Sequence, residues 1–322
     1  MTGFIIRRIV QMIPLMIGIT FLTFALINLI PGSPTSALEF NPRARPEDIA
    51  RIRENLGLNE PWPLRYFYWL GDVVQGNLGY SLINGTSVTD RIMTSLPNTL
   101  LLTGTSLFFA LSISVPLGIY SAVKRNSLFD NVATVASTAT FSIPSFWLAL
   151  LMIILFAVKF QEWGLPALPV SGARDFRGGG GFFDRVEHLI MPAIALGLVQ
   201  LASWMRYIRS SMLEVIRQDY VRTAEAKGMR ESTVLFIHAF RNAVLPLITL
   251  IGLTLPELFG GAFFIEQIFA WNGLGRLALD SLNQRDYTLI MGIFTMLAVL
   301  TLFGNLLADV LYAVFDPRIR FN

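Results

Sequence analysis

Several stretches of about 20 residues in this chain carry no Asp, Glu, Lys or Arg, and no other feature restricts its fold so tightly. A helix rises ~1.5 Å per residue, so ~20 apolar residues cross a hydrocarbon core of ~30 Å. Within that core each backbone polar group must be bonded inside the protein, which leaves helices or closed barrels. One such run could be the core helix of a soluble protein; several in one chain require a membrane. The apolar spans fall at 9–30, 97–122, 132–158, 189–208, 242–265 and 288–314. Composition agrees, with 53% hydrophobic and 15% charged residues among 322, against roughly a quarter charged in an ordinary globular protein. The expected fold class is an all-α membrane protein with about six transmembrane helices.

Arg7 and Arg8 precede the first run, which ends in Ile30-Pro31-Gly32. A cleavable signal has an apolar region of ~7–15 residues and then a small-x-small site. This run is longer and lacks that site, so a retained first helix is expected. Orientation follows from Lys and Arg, which concentrate on the cytoplasmic side. With the N-terminus inside, segments 1–8, 123–131, 206–241 and 315–322 hold 13 basic residues in 61 positions. Segments 31–96, 159–188 and 266–287 hold 12 in 118. Both termini are therefore expected in the cytoplasm, with a large external loop after the first helix. The implied organisation is a first transmembrane helix at 1–30, an external loop at 31–96, a five-helix core at 97–315 and a tail at 316–322. Within the external loop, Pro46-Glu47-Asp48-Ile49 opens one short helix that stops at Gly57. A second follows Pro61-Trp62-Pro63, and its aromatic run Tyr66 to Leu70 suits a water–lipid boundary.

The chain has no cysteine, which excludes disulfides, thiolate metal sites and thiol nucleophiles. Its two histidines, His188 and His238, form no His-x-x-x-His pair, and no metal site is expected. The formal charge of +3 comes from basic residues that flank apolar runs rather than from a basic face, so nucleic acid is not an expected partner. Gly178 to Gly181 form a glycine run with no Lys-Ser/Thr after it, so this run is a linker and not a phosphate cradle. No Gly-Lys pair occurs anywhere in the chain. A nucleotide site of its own is therefore not expected, and no bound cofactor.

The segment from Arg206 to Pro246 is much longer than the ~2–8 residues that join neighbouring helices. Met212, Val215, Ile216 and Tyr220 recur at helical spacing with charges between them. Thr223-Ala224-Glu225-Ala226-Lys227 is a helix of small residues, able to approach another surface closely. Gly228 suits the left-handed position that ends a helix, and Val234 to Phe240 form another amphipathic run. Chemistry alone leaves two readings open: a hairpin that docks a partner, or a connector whose charges only solvate it.

The same segment resembles the EAA loop of binding-protein-dependent ABC importers, in the form found in dipeptide and oligopeptide permeases. The matching residues are Asp219-Tyr220, Arg222-Thr223-Ala224, Ala226-Lys227-Gly228, His238-Ala239, Arg241-Asn242-Ala243 and Leu245-Pro246. The likeness extends along the chain: Phe4-Ile5-Ile6-Arg7-Arg8, Pro31-Gly32-Ser33-Pro34, Gly76-Asn77-Leu78-Gly79-Tyr80-Ser81, Pro97-Asn98-Thr99-Leu100 and Pro169-Val170-Ser171-Gly172. It continues through Glu266, Phe269, Gly273-Leu274-Gly275, Arg285-Asp286-Tyr287 and the terminal Asp316 to Arg320. These look like the first of the two permeases in such systems. Two positions depart: Glu225 stands where a basic residue is common, and Asn272 where proline usually precedes the glycine.

The resemblance implies a type I ABC importer permease fold in a bacterial or archaeal inner membrane. It implies a second homologous permease, two ATPase subunits that hydrolyse ATP with Mg, and an extracytoplasmic solute-binding protein. The ATPases would dock on Arg222, Thr223, Ala224, Glu225, Ala226, Lys227, Gly228, Leu245 and Pro246. Peptides are the implied cargo; nickel chelates, glutathione and oligosaccharides are the alternatives within the subfamily. Among ionisable residues inside the spans, Glu257 would line the translocation path or bond across the permease pair, and Asp309 would make a contact between helices. A different class, an ion-coupled secondary carrier, would need several buried charges or broken helices at a central site, and little beyond Glu257 supplies them.

Overall fold

The computed structural model describes residues 2–29, 57–175 and 180–315, with a few positions between 45 and 54. For 245, 246, 248, 249, 253, 255–261 and 311–315 it describes only the backbone. The expected helix from Pro46 to Gly57 and the tail 316–322 lie largely outside the described residues. Helices dominate, and the only extended pairing among the described residues is an isolated bridge between Tyr80 and Ser87. The chain divides into two compact units, one of residues 1–99 and 272–303, the other of 100–271 and 304–322.

In the first unit α1 (Thr2–Leu29) packs on the short α2 (Trp62–Val74). Pro61 and Pro63 start α2 where their missing N–H groups cost nothing. Tyr66 is its one fully buried aromatic side chain. The Tyr66 hydroxyl donates to the Ile17 carbonyl at 3.0 Å and meets Thr20 Oγ1 at 3.0 Å. Phe21 and Phe24 stand edge-on to its ring at centroid distances of 5.2 and 5.7 Å. The aromatic stretch expected at a water–lipid boundary thus also tethers α2 to the first transmembrane helix.

The remaining elements are α3 (Val88–Val123), α4 (Leu128–Ser142), α5 (Ser145–Glu162), α6 (Phe182–Val215), α7 (Asp219–Ala226), α8 (231–243), α9 (Leu245–Ile268), α10 (Leu274–Gln284) and α11 (Tyr287–Phe315). Among the described residues five helices are long and apolar enough to cross a membrane: Gly3–Leu29, Val88–Val123, Ser145–Glu162, Phe182–Val215 and Tyr287–Val310. The apolar span expected at 242–265 is helical backbone over Leu245–Ile268.

One expected span differs. Residues 132–158 read as one apolar run, yet the backbone breaks between Ser142 and Ser145. Ile143 is extended at φ −91° and ψ 127°, and Pro144 at φ −59° and ψ 136°. The proline ring disfavours a helical conformation for the residue before it, and proline has no N–H to continue the ladder. Hydropathy is blind to that break, because Ile143 and Pro144 carry no charge. Helices α3 and α6 also run well past their apolar windows, α6 to 34 residues, about 51 Å at 1.5 Å per residue.

In the second unit the helices approach closely. A Cβ on Gly118 would stand 2.8 Å from Ile208 Cβ and 2.9 Å from the Met205 carbonyl oxygen. A Cβ on Gly197 would stand 2.8 Å from the Ser106 carbonyl oxygen. Small residues at such crossings let membrane helices pack by direct backbone contact. The core beside Gly118 gathers Ile119, Trp204, Ile208 and Met212 with Val221, Ala224, Val234, Ala239 and Ala243. The segment after α6 is thus part of a packed core, not a free connector.

Candidate functional site

Helices α7 and α8 with the turn between them form the segment that the sequence singled out. Asp219 in the first turn of α7 places negative charge at the positive end of the helix. The helix ends in a complete Schellman turn. Gly228 N–H donates to the Glu225 carbonyl at 2.9 Å and Met229 N–H to the Ala224 carbonyl at 3.4 Å, with Gly228 at φ +75°. The second arm opens with Thr233 and Val234 N–H groups donating to Arg230 O at 2.8 and 3.0 Å. From Val234 to Phe240 it winds as a π-helix. Bonding from i to i+5 brings residues five apart toward one side, and Val234 and Ala239 are both buried.

Two faces result. Val221 and Ala224, three apart on α7, are 1% and 4% exposed and sit in the core with Trp204 and Met212. Arg222, Thr223, Glu225, Ala226, Lys227 and Gly228 are exposed, with Tyr220, Met229, Phe236 and Ile237 contributing exposed apolar surface nearby. Of the seven docking candidates between Arg222 and Gly228, six thus face outward. Ala224 does not, because its spacing from Val221 turns it to the core. Leu245 and Pro246 are placed as helical backbone at the start of α9, and their side chains lie outside the described residues, as does that of Glu257. The Arg222–Asp219 pair, at 3.9 Å on an open surface, contributes little.

A second cluster beside this hairpin escaped the sequence reading. Asp130, 1% exposed, accepts from Arg209 Nε at 2.5 Å and Nη2 at 2.7 Å. It also accepts from Ser121 Oγ and from Asn126 N–H at 2.9 Å. Ser127 caps α4 by accepting from Asp130 N–H at 3.2 Å. The pattern Ser127-x-x-Asp130 is visible in the sequence as a helix start. The Arg209 partner, 79 residues away, is not. Asp130 precedes the apolar run that begins at 132. Hydrogen bonding to Arg209 holds its carboxyl well below the usual carboxylate range, against the opposing pull of burial, with help from Ser121 and Asn126.

Elsewhere the structure brings together motifs that lie far apart in the chain. Asp286 is buried and accepts from Ser81 Oγ and from Leu82 N–H at 3.1 Å. Gly172 N–H donates to the Phe269 carbonyl at 2.9 Å. Thr99 Oγ1 accepts from Leu274 N–H at 2.8 Å and Asn98 Nδ2 donates to Asn272 O at 2.8 Å. The side chain of Asn272 accepts from Arg276 at 2.9 Å, an interaction that proline at this position could not make. Glu266 is fully buried and Asp309 half-buried. His188 Nδ1 lies 2.8 Å from the Asp184 carbonyl oxygen, while His238 is half-buried in α8. No group of three or more potential metal ligands occurs among the described residues.

Comparison with known proteins places this geometry. Residues 114–321 match the family described as the binding-protein-dependent transport system inner membrane component, and residues 1–103 match its N-terminal region. The chain is 44% identical over 322 residues to the oligopeptide transport system permease protein AppB of Bacillus subtilis, covering 100% of both chains. It is 40% identical to the di/tripeptide transport system permease protein DppB of Pseudomonas aeruginosa, covering 99% of each. The dipeptide transport system permease protein DppB of Escherichia coli is 39% identical, also over 99% of each. Among solved structures, the inward-facing MetNI methionine ABC transporter shares the fold. Its TM-score is 0.55 at 18% identity, over 70% of this chain and 96% of that one. With more than half of its length matched by one family model and full-length relatives near 40% identity, the chain belongs to the binding-protein-dependent transport system inner membrane components.

Proposed function

We propose that this chain is the transmembrane permease subunit of an ABC importer for di- and oligopeptides, powered by separate ATPase subunits that dock on the outward face of α7. The observation that carries the reading is the two-faced hairpin. Val221 and Ala224 fasten it to the core, while Arg222, Thr223, Glu225, Ala226, Lys227 and Gly228 are presented outward. A partner pushing on that face moves the core with it. The peptide cargo is supported by the full-length relatives, which are named as peptide permeases. In this reading the chain forms half of the translocation path with a second, homologous permease. An external binding protein delivers the cargo, and two ATPases hydrolyse ATP with Mg.

The chain itself binds no nucleotide and catalyses no reaction, in keeping with the absence of any Gly-Lys pair from its sequence. Both termini and the α7–α8 hairpin lie on the cytoplasmic side of the inner membrane, a topology supported by the twofold higher basic density of those segments. Hydrolysis drives transport only through unequal affinity of the partners for inward- and outward-facing states. Ligand-stimulated hydrolysis tests the cargo. With the complete complex in vesicles, di- to oligopeptides on the binding protein are expected to accelerate ATP turnover. Acceleration by nickel chelates, glutathione or oligosaccharides but not by peptides would overturn the peptide assignment.

A further inference from the structure

The docking hairpin packs through Val221, Ala224, Val234, Ala239 and Ala243 on a core that includes Ile208 and Met212 of α6, and a buried ion pair ties that same stretch of α6 to α4. Arg209, on the last two turns of α6, holds both carboxylate oxygens of Asp130 in its planar fork. That carboxylate is tied in turn to α3 by Ser121 and to the α3–α4 turn by the Asn126 N–H. Further contacts brace the same three helices. Ser137 Oγ on α4 donates to Met205 Sδ on α6 at 2.9 Å, and the Arg206 guanidinium lies 4.7 Å from the Phe141 ring centroid. Gly118 lets α3 touch the α6 backbone. Val221 and Ala224 of α7 close the same core from the hairpin side.

A buried ion pair contributes less to net stability than its Coulomb energy suggests, because both charges are stripped of water. Its distinguishing property is direction. A bidentate fork fixes the distance and the angle between two elements, where an apolar contact of the same volume tolerates sliding. Transport needs an element with two discrete positions that partners can bias. A hairpin pushed by an ATPase passes that push on only if it cannot slip against the helices behind it.

We propose that the Asp130–Arg209 pair is a transmission clamp that makes the end of α6, the α3–α4 turn and the docking hairpin move as one rigid lever. The proposal rests on the docking reading of α7, and its test separates the two. The chain has no cysteine, so spin labels can be placed at Leu128→Cys and Ser232→Cys, both exposed and outside the docking face. In the reconstituted complex the distance between them is expected to be the same without nucleotide and with ATP trapped. Arg209→Lys keeps the charge and loses the fork. It is expected to retain bound ATPase, to broaden that distance distribution, and to lower the ratio of stimulated to basal ATP hydrolysis about tenfold, within the range of coupling seen between sites. A wild-type distance that changes between the two states overturns the clamp, as does an Arg209→Lys complex with wild-type ratio and width. If Arg209→Lys fails to insert, the wild-type distance decides alone. Failure of the wild-type permeases to retain ATPase would strike the docking reading instead, and the width comparison on the permease pair would still decide the clamp.

Discussion

At the scale of single residues, Gly228 and Ala224 divide the proposed docking segment between backbone and core. Gly228 sits at φ +75° with no atom within 4 Å of where a Cβ would stand. Replacing it with Ala therefore costs conformational strain of roughly 1–2 kcal/mol and no clash. Gly228→Asp adds a negative charge on the outward face. It is expected to abolish ATPase retention in co-purification while Gly228→Ala keeps most of it; equal retention by both would remove the docking role of this turn. Ala224→Asp puts a charge into the core and is expected to lower the melting temperature of the permease itself, whereas Ala226→Asp should leave it unchanged. Arg209→Ala leaves the Asp130 carboxylate buried and unpaired, at an expected cost of about 3–5 kcal/mol. The pH dependence has a definite sign. Pairing depresses the Asp130 pKa, so its stabilisation is fully present above the unfolded value of ~3.9 and is lost as pH falls below it. Acid unfolding should therefore show a shallower slope in Asp130→Asn than in wild type.

At the scale of elements, the α7–α8 hairpin was legible in outline because its signals are local. Gly228 follows a run of helix formers, and the turn it makes needs only neighbouring carbonyls. Which side of α7 faces the core was not legible. Ala224 and Ala226 are identical in size and polarity, so the sequence cannot choose between them; the core that Val221 and Ala224 share with Trp204 and Met212 does. The break before Pro144 was equally hidden, since apolar residues continue across it. Ser121–Asp130–Arg209 and Ser81–Asp286 lay beyond local reading altogether, the latter joining residues 205 apart. Close approach at Gly118 yields a further expectation. Gly118→Val must displace Ile208 or the Met205 backbone, and is expected to lower the thermal stability of the purified permease more than Gly104→Val, where a Cβ meets nothing within 4 Å.

At the scale of the whole molecule, charge-free windows fixed the solvent and motif likeness fixed the family, and neither depends on tertiary detail. The full-length relatives carry the same reading from end to end. Buried carboxylates such as Asp130 and Asp286 fit this frame as structural ties, each satisfied by several donors. A proton- or ion-coupled carrier would instead need ionisable groups free to change their charge along a path. The central claim is that transport through this chain is powered from outside it, at the exposed face of α7. Peptide uptake into vesicles tests that most directly, comparing the permease pair alone with the pair plus its ATPases, binding protein and ATP. Uptake is expected only in the complete, ATP-supplied system and is expected to vanish with Gly228→Asp. Peptide accumulation by the permeases alone, driven by an ion gradient, would contradict the account.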